Sequence, residues 1–293
     1  MTTRFDFSAA SVAELARDDA RRALQEDVGT GDLTAALVPA GRRVTARVLT
    51  RENAVLCGKP WVEAVLQQLE PQAQLTWQRS EGQQCEPGQT VLTIEGDARG
   101  LLSAERTALN FLQLLSAVAT RTAQYVEAVR GTRARIVDTR KTLPGLRLAQ
   151  KYAVGVGGGT NHRIGLYDAI LIKENHIAAA GGVAAALRAA AAAGPAAKFV
   201  QIEVETLDQL EVALANGARM VLLDNMDLPT LREAVRRNEA AGDADARAVL
   251  EISGGVTLES VRALAETGVD RISIGALTKD VKAIDLSMRF VGL

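Results

Sequence analysis

The segment from Asp138 to Arg163, DTRKTLPGLRLAQKYAVGVGGGTNHR, gathers positive charge and glycine into one short stretch. Extended back to Arg130, it carries eight lysine or arginine residues against one acid, in a chain whose net charge is −1. Proline and glycine interrupt these charges, so they lack the regular spacing of a solvated helical face. Guanidinium groups hold carboxylates through paired hydrogen bonds. The segment therefore predicts a site for an anionic partner, with glycines that let the loop close on the ligand.

Further basic groups stand close to this segment. His162 lies beside Arg163 after the triple glycine, which favours contact with a substrate. Lys173 follows three apolar residues and could either form a Schiff base with a carbonyl substrate or act as a fixed positive charge. His176 follows shortly afterwards, and we expect it to have a structural role at the start of a helix.

Two glycine-containing loops near the C-terminus are typical of phosphate binding. Ser253-Gly254-Gly255 and Ser273-Ile274-Gly275 each follow an apolar run. Free backbone N–H groups at such turns bind phosphate, and glycine lets the backbone approach closely. In α/β barrels the phosphate often lies on the loops of the last two strands. The pair therefore predicts a phosphate site.

Two carboxylates end successive apolar runs. Glu203 and Asp224 could coordinate Mg²⁺, accept hydrogen bonds from sugar hydroxyl groups, or act as a general acid and base. Alternation places Glu203 and Glu205 on the same side of a strand, so it does not choose between them. With only two histidines in the chain, any metal is expected to be an oxygen-bound ion such as Mg²⁺.

The elements that must position these residues follow from the pattern after Gly131. Six short apolar runs, ARIVD, AILIK, FVQIEVE, MVLLD, AVLEIS and RISIG, alternate with helical segments, two of which are expected to begin at Thr206 and Thr257. This rhythm indicates a parallel sheet whose strand C-terminal ends carry the site. A complete eight-unit barrel needs about 200 residues or more. We therefore predict an α/β fold, with an incomplete α/β barrel of about six to seven parallel strands over residues 116–277.

The preceding residues predict a smaller α+β domain over 1–115, and the tail of about 278–293 could pack on it. Ser11 is expected to cap a first helix, with Glu14 in the capping-box position. Strand-like runs follow at residues 43–58 and 89–97. Residues 103–130 contain neither glycine nor proline and predict a long helical stretch, as one helix or two.

Composition excludes several classes of protein. Apolar residues make up 47% of the chain, but none of their runs approaches the ~20 residues of a membrane span. The N-terminus lacks the apolar stretch of a signal peptide, and Cys57 and Cys85 fit neither a zinc site nor a disulfide framework. A cytoplasmic protein without a membrane partner is expected. The near-neutral charge and the lack of aromatic residues near the basic cluster argue against nucleic-acid binding.

Eight motifs, in order from about residue 26 to 278, resemble the quinolinate phosphoribosyltransferase family. They are EDVGTGDLT, ERTALNFLQ, DTRKTLPGLR, KYAVGVGGGTNHRIGLYDAILIKENHI, EVETLDQ, LLDN, EISGG and SIGALT. The resemblance implies a homodimeric or hexameric pentosyltransferase of NAD biosynthesis. Its substrates would be quinolinate and phosphoribosyl pyrophosphate, with Mg²⁺. Its products would be nicotinate mononucleotide, pyrophosphate and CO₂.

The same resemblance implies roles for individual residues. The quinolinate carboxylates would be held by Arg140, His162, Arg163 and Lys173, with Arg106 reaching the pocket from a neighbouring subunit. Thr139 would contact substrate, and Lys141 would contact the phosphoribosyl donor. Glu203 and Asp224 would face the ribose and Mg²⁺, directly or through water, and would be catalytic together with Lys141. The 5′-phosphate would bind at Ser253, Gly254, Gly255, Ser273, Ile274 and Gly275.

Three alternatives remain open on the sequence. A related phosphoribosyltransferase could use an acid such as nicotinate without decarboxylation, which the absence of CO₂ release would reveal. An aldolase could use Lys173, which borohydride trapping would detect. A nucleic-acid-binding module could use the basic segment, which an electrophoretic shift would test.

Overall fold

The structure is a computed structural model that describes residues 5–193, 197–241 and 247–291. It divides into two compact units. The first comprises Met1–Ala123, Thr142–Gly158 and Leu277–Leu293, and the second comprises Gln124–Lys141 and Gly159–Ala276. The domain boundaries near residues 115 and 277 stay predictions. Within the described residues, no helix is both long and apolar enough to cross a lipid bilayer.

The first unit is built on an antiparallel sheet. Its strands are β1 (Arg43–Thr50), β2 (Ala54–Val55), β3 (Gln74–Trp77), β4 (Gln84–Cys85), β5 (Thr90–Asp97) and β12 (Leu286–Val291). Four of them pair in the order β12-β1-β5-β3, and β2 pairs separately with β4. Burial alternates along β1, so its even-numbered residues face the core.

Four helices accompany this sheet: α1 (Ala9–Asp27), α2 (Lys59–Leu69), α3 (Ala98–Ala128) and α4 (Arg147–Val156), with a 3₁₀ turn at Ala35–Leu37. The expected cap at Ser11 is wrong. Ser8 has the extended backbone of an N-cap, and its side chain accepts a hydrogen bond from the backbone N–H of Ser11. The long predicted helical stretch is one continuous helix, because no residue within α3 breaks it.

A buried tryptophan on α2 contacts two further helices of this unit, α1 and α4. The Nε1–H of Trp61 donates to Asp19 at 2.9 Å, and its ring centroid lies 5.4 Å from that of Tyr152. Burial raises the pKa of the Asp19 carboxyl, against the opposing effects of the Trp61 hydrogen bond and the Arg22 charge. The carboxylate therefore has polar partners despite its burial.

The triple glycine has a packing role that the sequence did not indicate. A Cβ atom on Gly157 would lie 2.4 Å from the carbonyl oxygen of Ala119 and 2.7 Å from Cβ of Thr122, both on α3. Gly158 follows with φ +85°, a conformation that favours glycine. Close contact with α3 and a left-handed turn explain these two positions, whereas the sequence suggested loop closure.

The second unit contains the predicted parallel sheet. Its strands are β6 (Arg135–Val137), β7 (Ile170–Ile172), β8 (Val200–Val204), β9 (Met220–Asp224), β10 (Val249–Ser253) and β11 (Arg271–Ser273). They pair in the order β6-β11-β10-β9-β8-β7, with every ladder parallel. All six predicted strands are confirmed. Among the described residues no ladder joins the two outer strands, β6 and β7, as an incomplete barrel requires.

The connecting helices are α5 (Glu174–Ala180), α6 (Val183–Ala193), α7 (Leu207–Ala215), α8 (Leu228–Ala240), α9 (Leu258–Ala265) and α10 (Ala276–Lys279). The predicted caps at Thr206 and Thr257 are confirmed, since each side chain accepts from a backbone N–H three residues ahead. The alanine-rich residues 178–193 form the end of α5 and the whole of α6, around the left-handed Gly181 and Gly182. Residues 194–196 lie outside the described part.

Candidate active site

A cavity of about 320 Å³ opens within the second unit at the C-terminal ends of its strands. Nine of the residues predicted from the sequence line it: Thr139, Arg140, Lys141, His162, Arg163, Lys173, Glu203, Ser253 and Ser273. Asp138, Leu171, Leu222 and Glu251 complete the lining. The parallel sheet therefore collects in one place residues from segments more than a hundred positions apart.

Four of the lining side chains are cationic, namely Arg140, Lys141, Arg163 and Lys173. Arg163 is 9% exposed, and its Nη1 donates to the carbonyl oxygen of Ala169 at 3.3 Å. Burial lowers the pKa of Arg163, and the like charge of Arg140 lowers it further, while Asp168 acts in the opposite direction. The two guanidinium groups are thus close enough to repel each other. An anion placed between them would relieve that repulsion.

Lys173 and Glu203 form an ion pair at the cavity wall. The Nζ of Lys173 lies 2.8 Å from Oε2 of Glu203, and the Glu203 side chain is only 11% exposed. A Schiff base requires an unprotonated amine, whereas this carboxylate stabilises an ammonium group. The pairing favours Lys173 as a fixed charge. Glu205 is exposed and does not line this cavity, so the structure selects Glu203 of the two glutamates.

Asp138 holds the turn that carries His162. This buried carboxylate accepts from the backbone N–H of His162 at 2.8 Å and from Nδ2 of Asn161 at 2.7 Å. A parallel bridge between Val137 and Thr160 fixes the same turn beside β6. Strand-like pairing therefore brings together the basic residues at the two ends of the segment 138–163.

The two glycine-containing loops border the same edge of the sheet. Gly254 and Gly255 have φ values of +103° and +57°, where a side chain would be strained. A Cβ atom on Gly275 would lie 3.0 Å from Cδ of Lys141 and 3.7 Å from Oγ1 of Thr139. The second loop thus passes directly beside two residues predicted to bind substrate.

Asp224 ends β9 next to one of these loops. It pairs in register with Ser253, and Asn225 follows it with φ 53°, a sharp turn that asparagine tolerates. Asp224 is partly exposed and is not part of the cavity lining. Glu203 lies on the adjacent strand β8, opposite Leu222. The two carboxylates therefore lie near one edge of the sheet.

The described part of the chain holds no group of three or more His, Cys, Asp or Glu side chains arranged to hold a metal ion. Glu203 and Asp224 are the two carboxylates that the sequence predicts to hold Mg²⁺. Mg²⁺ is commonly held by one or two carboxylates together with substrate phosphates and water. Two carboxylates beside a phosphate-type loop fit that mode of binding.

Arg106 and His176 are not part of the lining of this cavity. Arg106 is exposed on α3 in the first unit. His176 lies in α5, and its Nδ1 accepts from the backbone N–H of Lys173 at 3.1 Å. The structural role expected for His176 is confirmed, because its ring caps the start of this helix.

Sequence reasoning missed a layer of polar side chains beneath the mouth of the cavity. Gln201 and Glu251 are fully buried, and Arg271 is mostly buried. Each lies two positions before a residue that was singled out, namely Glu203, Ser253 and Ser273. Because side chains alternate along a strand, these pairs share a face. The signal that could have identified these three residues is a polar or charged side chain within an otherwise apolar strand.

An incomplete α/β barrel with basic residues, paired carboxylates and phosphate-type loops at its strand ends defines a barrel enzyme that acts on phosphorylated anions. The comparisons with known proteins specify this class. The family profile of the quinolinate phosphoribosyl transferase C-terminal domain matches residues 118–289, and that of the N-terminal domain matches residues 32–116. The chain belongs to the quinolinate phosphoribosyl transferase family.

Individual relatives are similar in sequence to this chain over nearly its whole length. The carboxylating nicotinate-nucleotide pyrophosphorylase of Mycobacterium leprae is 45% identical over 279 residues, which cover 94% of this chain and 97% of that protein. A decarboxylating quinolinate phosphoribosyltransferase of Nicotiana glauca is 38% identical, covering 91% and 80%. The solved structure of the nicotinate-nucleotide pyrophosphorylase from Francisella tularensis superimposes with a TM-score of 0.90 at 43% identity, covering 95% and 97%.

Proposed function

We propose that this protein transfers the phosphoribosyl group of phosphoribosyl pyrophosphate to quinolinate with loss of CO₂, giving nicotinate mononucleotide and pyrophosphate for NAD biosynthesis. The observation that carries the proposal is the convergence of Arg140, Arg163 and Lys173 on one cavity. The names of the relatives from Mycobacterium leprae and Nicotiana glauca support the same reaction. Two substrates rich in negative charge can approach each other only in a strongly cationic site.

Quinolinate carries two carboxylates, and the cavity offers a matching set of donors. Arg140 and Arg163 can each hold a carboxylate through two parallel hydrogen bonds. Lys173 adds a point charge whose partner in the structure, Glu203, can be exchanged for a substrate carboxylate. The dicarboxylate is favoured over nicotinate because Arg140 and Arg163 offer two guanidinium groups, one for each carboxylate.

The phosphoribosyl donor is assigned to the opposite edge of the cavity. Lys141 and Thr139 adjoin Gly275, so side-chain and backbone donors are available together. The loops Ser253-Gly254-Gly255 and Ser273-Ile274-Gly275 would hold the 5′-phosphate through backbone N–H groups. Helix α10 has only four residues, so loop amides supply most of the donors there.

Glu203 and Asp224 would hold Mg²⁺, directly or through water, and face the ribose hydroxyl groups. The chemistry that Mg²⁺ supplies when bound is neutralisation of charge on the diphosphate leaving group. Glu203 lines the cavity, and Asp224 lies next to Ser253 on the neighbouring strand. Together they would orient the ribose between the two substrate-binding edges.

The chemistry requires little covalent participation by the protein. The lone pair of the pyridine nitrogen forms a bond to C1 of the ribose while the bond from C1 to the pyrophosphate oxygen breaks. Carboxylates near the ribose stabilise the positive charge that develops there. The resulting pyridinium stabilises the electron pair that remains on the ring carbon when the adjacent carboxylate leaves as CO₂. A proton then takes the place of the carboxylate on that carbon. Positioning and preorganised charge carry the rate.

We also propose that the enzyme is a cytoplasmic homodimer, or a hexamer built from such dimers. Arg106 would reach the cavity of the neighbouring subunit. Its exposure on α3 leaves the guanidinium accessible to a second chain.

Incubation of the protein with quinolinate, phosphoribosyl pyrophosphate and Mg²⁺, followed by mass detection of nicotinate mononucleotide, tests the function. Labelled quinolinate should release CO₂ in equal amount. Nicotinate in place of quinolinate is the control for the related activity without decarboxylation. Product formation with nicotinate but not with quinolinate would contradict the proposal.

A further inference from the structure

The floor of the cavity contains a carboxylate to which the proposed chemistry gives no task. Glu251 lies on β10 with no exposed surface, yet it lines the cavity that is proposed to bind a dianion. A buried negative charge is costly and would repel such a ligand. A specific structural purpose is therefore required to explain it.

The contacts of Glu251 run in two directions. Its Oε2 lies 3.0 Å from Nε of Arg271, which faces it from the neighbouring strand β11 in direct register. Its Oε1 lies 3.6 Å from Nε2 of His162. Arg271 balances the charge of Glu251, and the imidazole connects this pair to the substrate-binding turn.

The hydrogen bonds of His162 fix its protonation. Nδ1 lies 2.8 Å from the backbone nitrogen of Arg163. A backbone N–H can only donate, so Nδ1 must accept and carries no proton. Nε2 lies 2.8 Å from Oε1 of Gln201 and also faces the carboxylate of Glu251. Both are acceptors, so Nε2 carries the proton and the imidazole is neutral.

The ring of His162 is in direct contact with the backbone of Arg163. The ring of His162 accepts from the backbone of the next residue, whose guanidinium is a proposed anchor for quinolinate. Rotation of the ring would release that N–H and free the backbone of Arg163. The orientation of one substrate anchor therefore depends on what holds Nε2 of His162.

We propose that Glu251 is a positioning residue. Charge-balanced by Arg271, it faces Nε2–H of His162 at 3.6 Å and favours the tautomer whose Nδ1 accepts from the backbone N–H of Arg163, so that Arg163 keeps one orientation towards quinolinate. The inference rests on the proposed function.

Glu251→Gln removes the charge at nearly constant size and provides the kinetic test. We expect the dissociation constant for quinolinate, measured by calorimetry, to rise roughly tenfold, with the KM for phosphoribosyl pyrophosphate changed by less than about twofold. Asp270→Asn is the matched control. Asp270 precedes Arg271, pairs with Arg247 outside the cavity, and should lower the melting temperature without changing quinolinate affinity.

Each kinetic result decides the question. Tighter binding of quinolinate by Glu251→Gln would show that the carboxylate only repels the ligand, and would overturn the proposal. Equal losses of affinity in Glu251→Gln and Asp270→Asn would reduce Glu251 to general support of the barrel. A wild-type protein that binds quinolinate but forms no product would count against the proposed function alone.

Magnetic resonance of ¹⁵N-labelled histidine gives a readout that does not depend on activity. The chain has only two histidines, so His176→Gln assigns both sets of signals. We expect His162 to show a protonated Nε2 and an unprotonated Nδ1 near neutral pH, with faster exchange of the Nε2 proton in Glu251→Gln. A proton on Nδ1 of His162 in the wild-type protein would refute the arrangement.

Discussion

Arg140 and Arg163 face one cavity with like charges, and the pKa of Arg163 is lowered by its burial and by the charge of Arg140. Such a site is costly without a ligand, because neither charge is fully solvated. The proposed entry of a dicarboxylate between them would offset this cost. We therefore expect relief of the repulsion to contribute to affinity for the anion.

Arg140→Ala and Arg163→Ala should therefore weaken quinolinate binding far more than they perturb folding. Loss of a charge-assisted anchor in a desolvated site costs about 2–5 kcal/mol. Calorimetric titration with quinolinate measures the loss, and Arg188→Ala on the exposed side of α6 is the control. Unchanged affinity in both cavity variants would remove these residues from substrate binding.

Glu203→Gln should impair use of the phosphoribosyl donor and shift the Mg²⁺ dependence of the rate to higher concentrations. The variant removes a proposed Mg²⁺ ligand and the partner of Lys173. Glu205→Gln is the matched control, because Glu205 lies two residues away and outside the cavity. Initial rates over a range of donor and Mg²⁺ concentrations make the comparison. Similar behaviour of both variants would mean that Glu203 has no special role.

At this scale the sequence predicts side chains at strand ends better than those within strands. Arg140 and Lys173 stand out because each follows an apolar run, and Glu203 because it lies near the end of one, whereas Thr139 and Lys141 are implied by the family resemblance. Glu251 was missed because it lies inside an apolar run, where a single charge is easily taken as incidental. The pairing of Nδ1 of His162 with a backbone N–H was also beyond prediction, since it depends on the turn that Asp138 holds.

Among the elements, α4 shows how a motif that appears catalytic can be determined by packing. Its end approaches α3 so closely that no side chain fits at Gly157, whereas a Cβ atom on Gly155 would meet nothing within 4 Å. Both glycines belong to the same run, GVGGG. Their opposite surroundings allow a direct comparison.

Gly157→Ala should destabilise the protein by about 1–3 kcal/mol, because the added methyl group overlaps the carbonyl oxygen of Ala119 and the side chain of Thr122. Gly155→Ala lies within α4 and should stabilise it by up to about 1 kcal/mol, since alanine favours helix. Chemical denaturation gives both free energies of unfolding. The reverse order of stability would contradict the packing role of Gly157.

The elements themselves were largely predictable. All six parallel strands and the caps at Thr206 and Thr257 follow from local patterns. The first cap was misplaced by three residues, because Ser8 and Ser11 are equally good capping side chains and only the extended backbone at Ser8 distinguishes them. The close approach of α4 to α3 is a tertiary contact that no local pattern contains.

For the whole molecule, charge is distributed unevenly. The chain is nearly neutral, yet residues 130–163 carry eight lysine or arginine residues against one acid, and three of the eight line the cavity. A local positive field attracts anionic substrates without making the entire protein basic. Arg106 adds one more charge, which the proposed dimer would place in the neighbouring cavity.

That assignment predicts complementation between two inactive variants. Arg106→Ala and Lys141→Ala should each be nearly inactive as homodimers. In a mixed dimer one pocket would carry both defects and the other neither. Random exchange between equal amounts makes about half of the dimers mixed, so about a quarter of wild-type activity should return, by the symmetry of a two-fold interface.

The double variant Arg106→Ala/Lys141→Ala provides the control for this experiment. If Arg106 acts on the neighbouring chain, each pocket of a dimer formed with a wild-type subunit contains one defect. Exchange with an equal amount of wild-type protein should then halve the activity of the mixture. If Arg106 acts within its own chain, exchange changes nothing in this mixture and restores nothing in the first. Both mixtures must be assayed under conditions in which a labelled subunit is seen to exchange. The activities of the two mixtures, taken together, then decide to which chain's pocket Arg106 belongs.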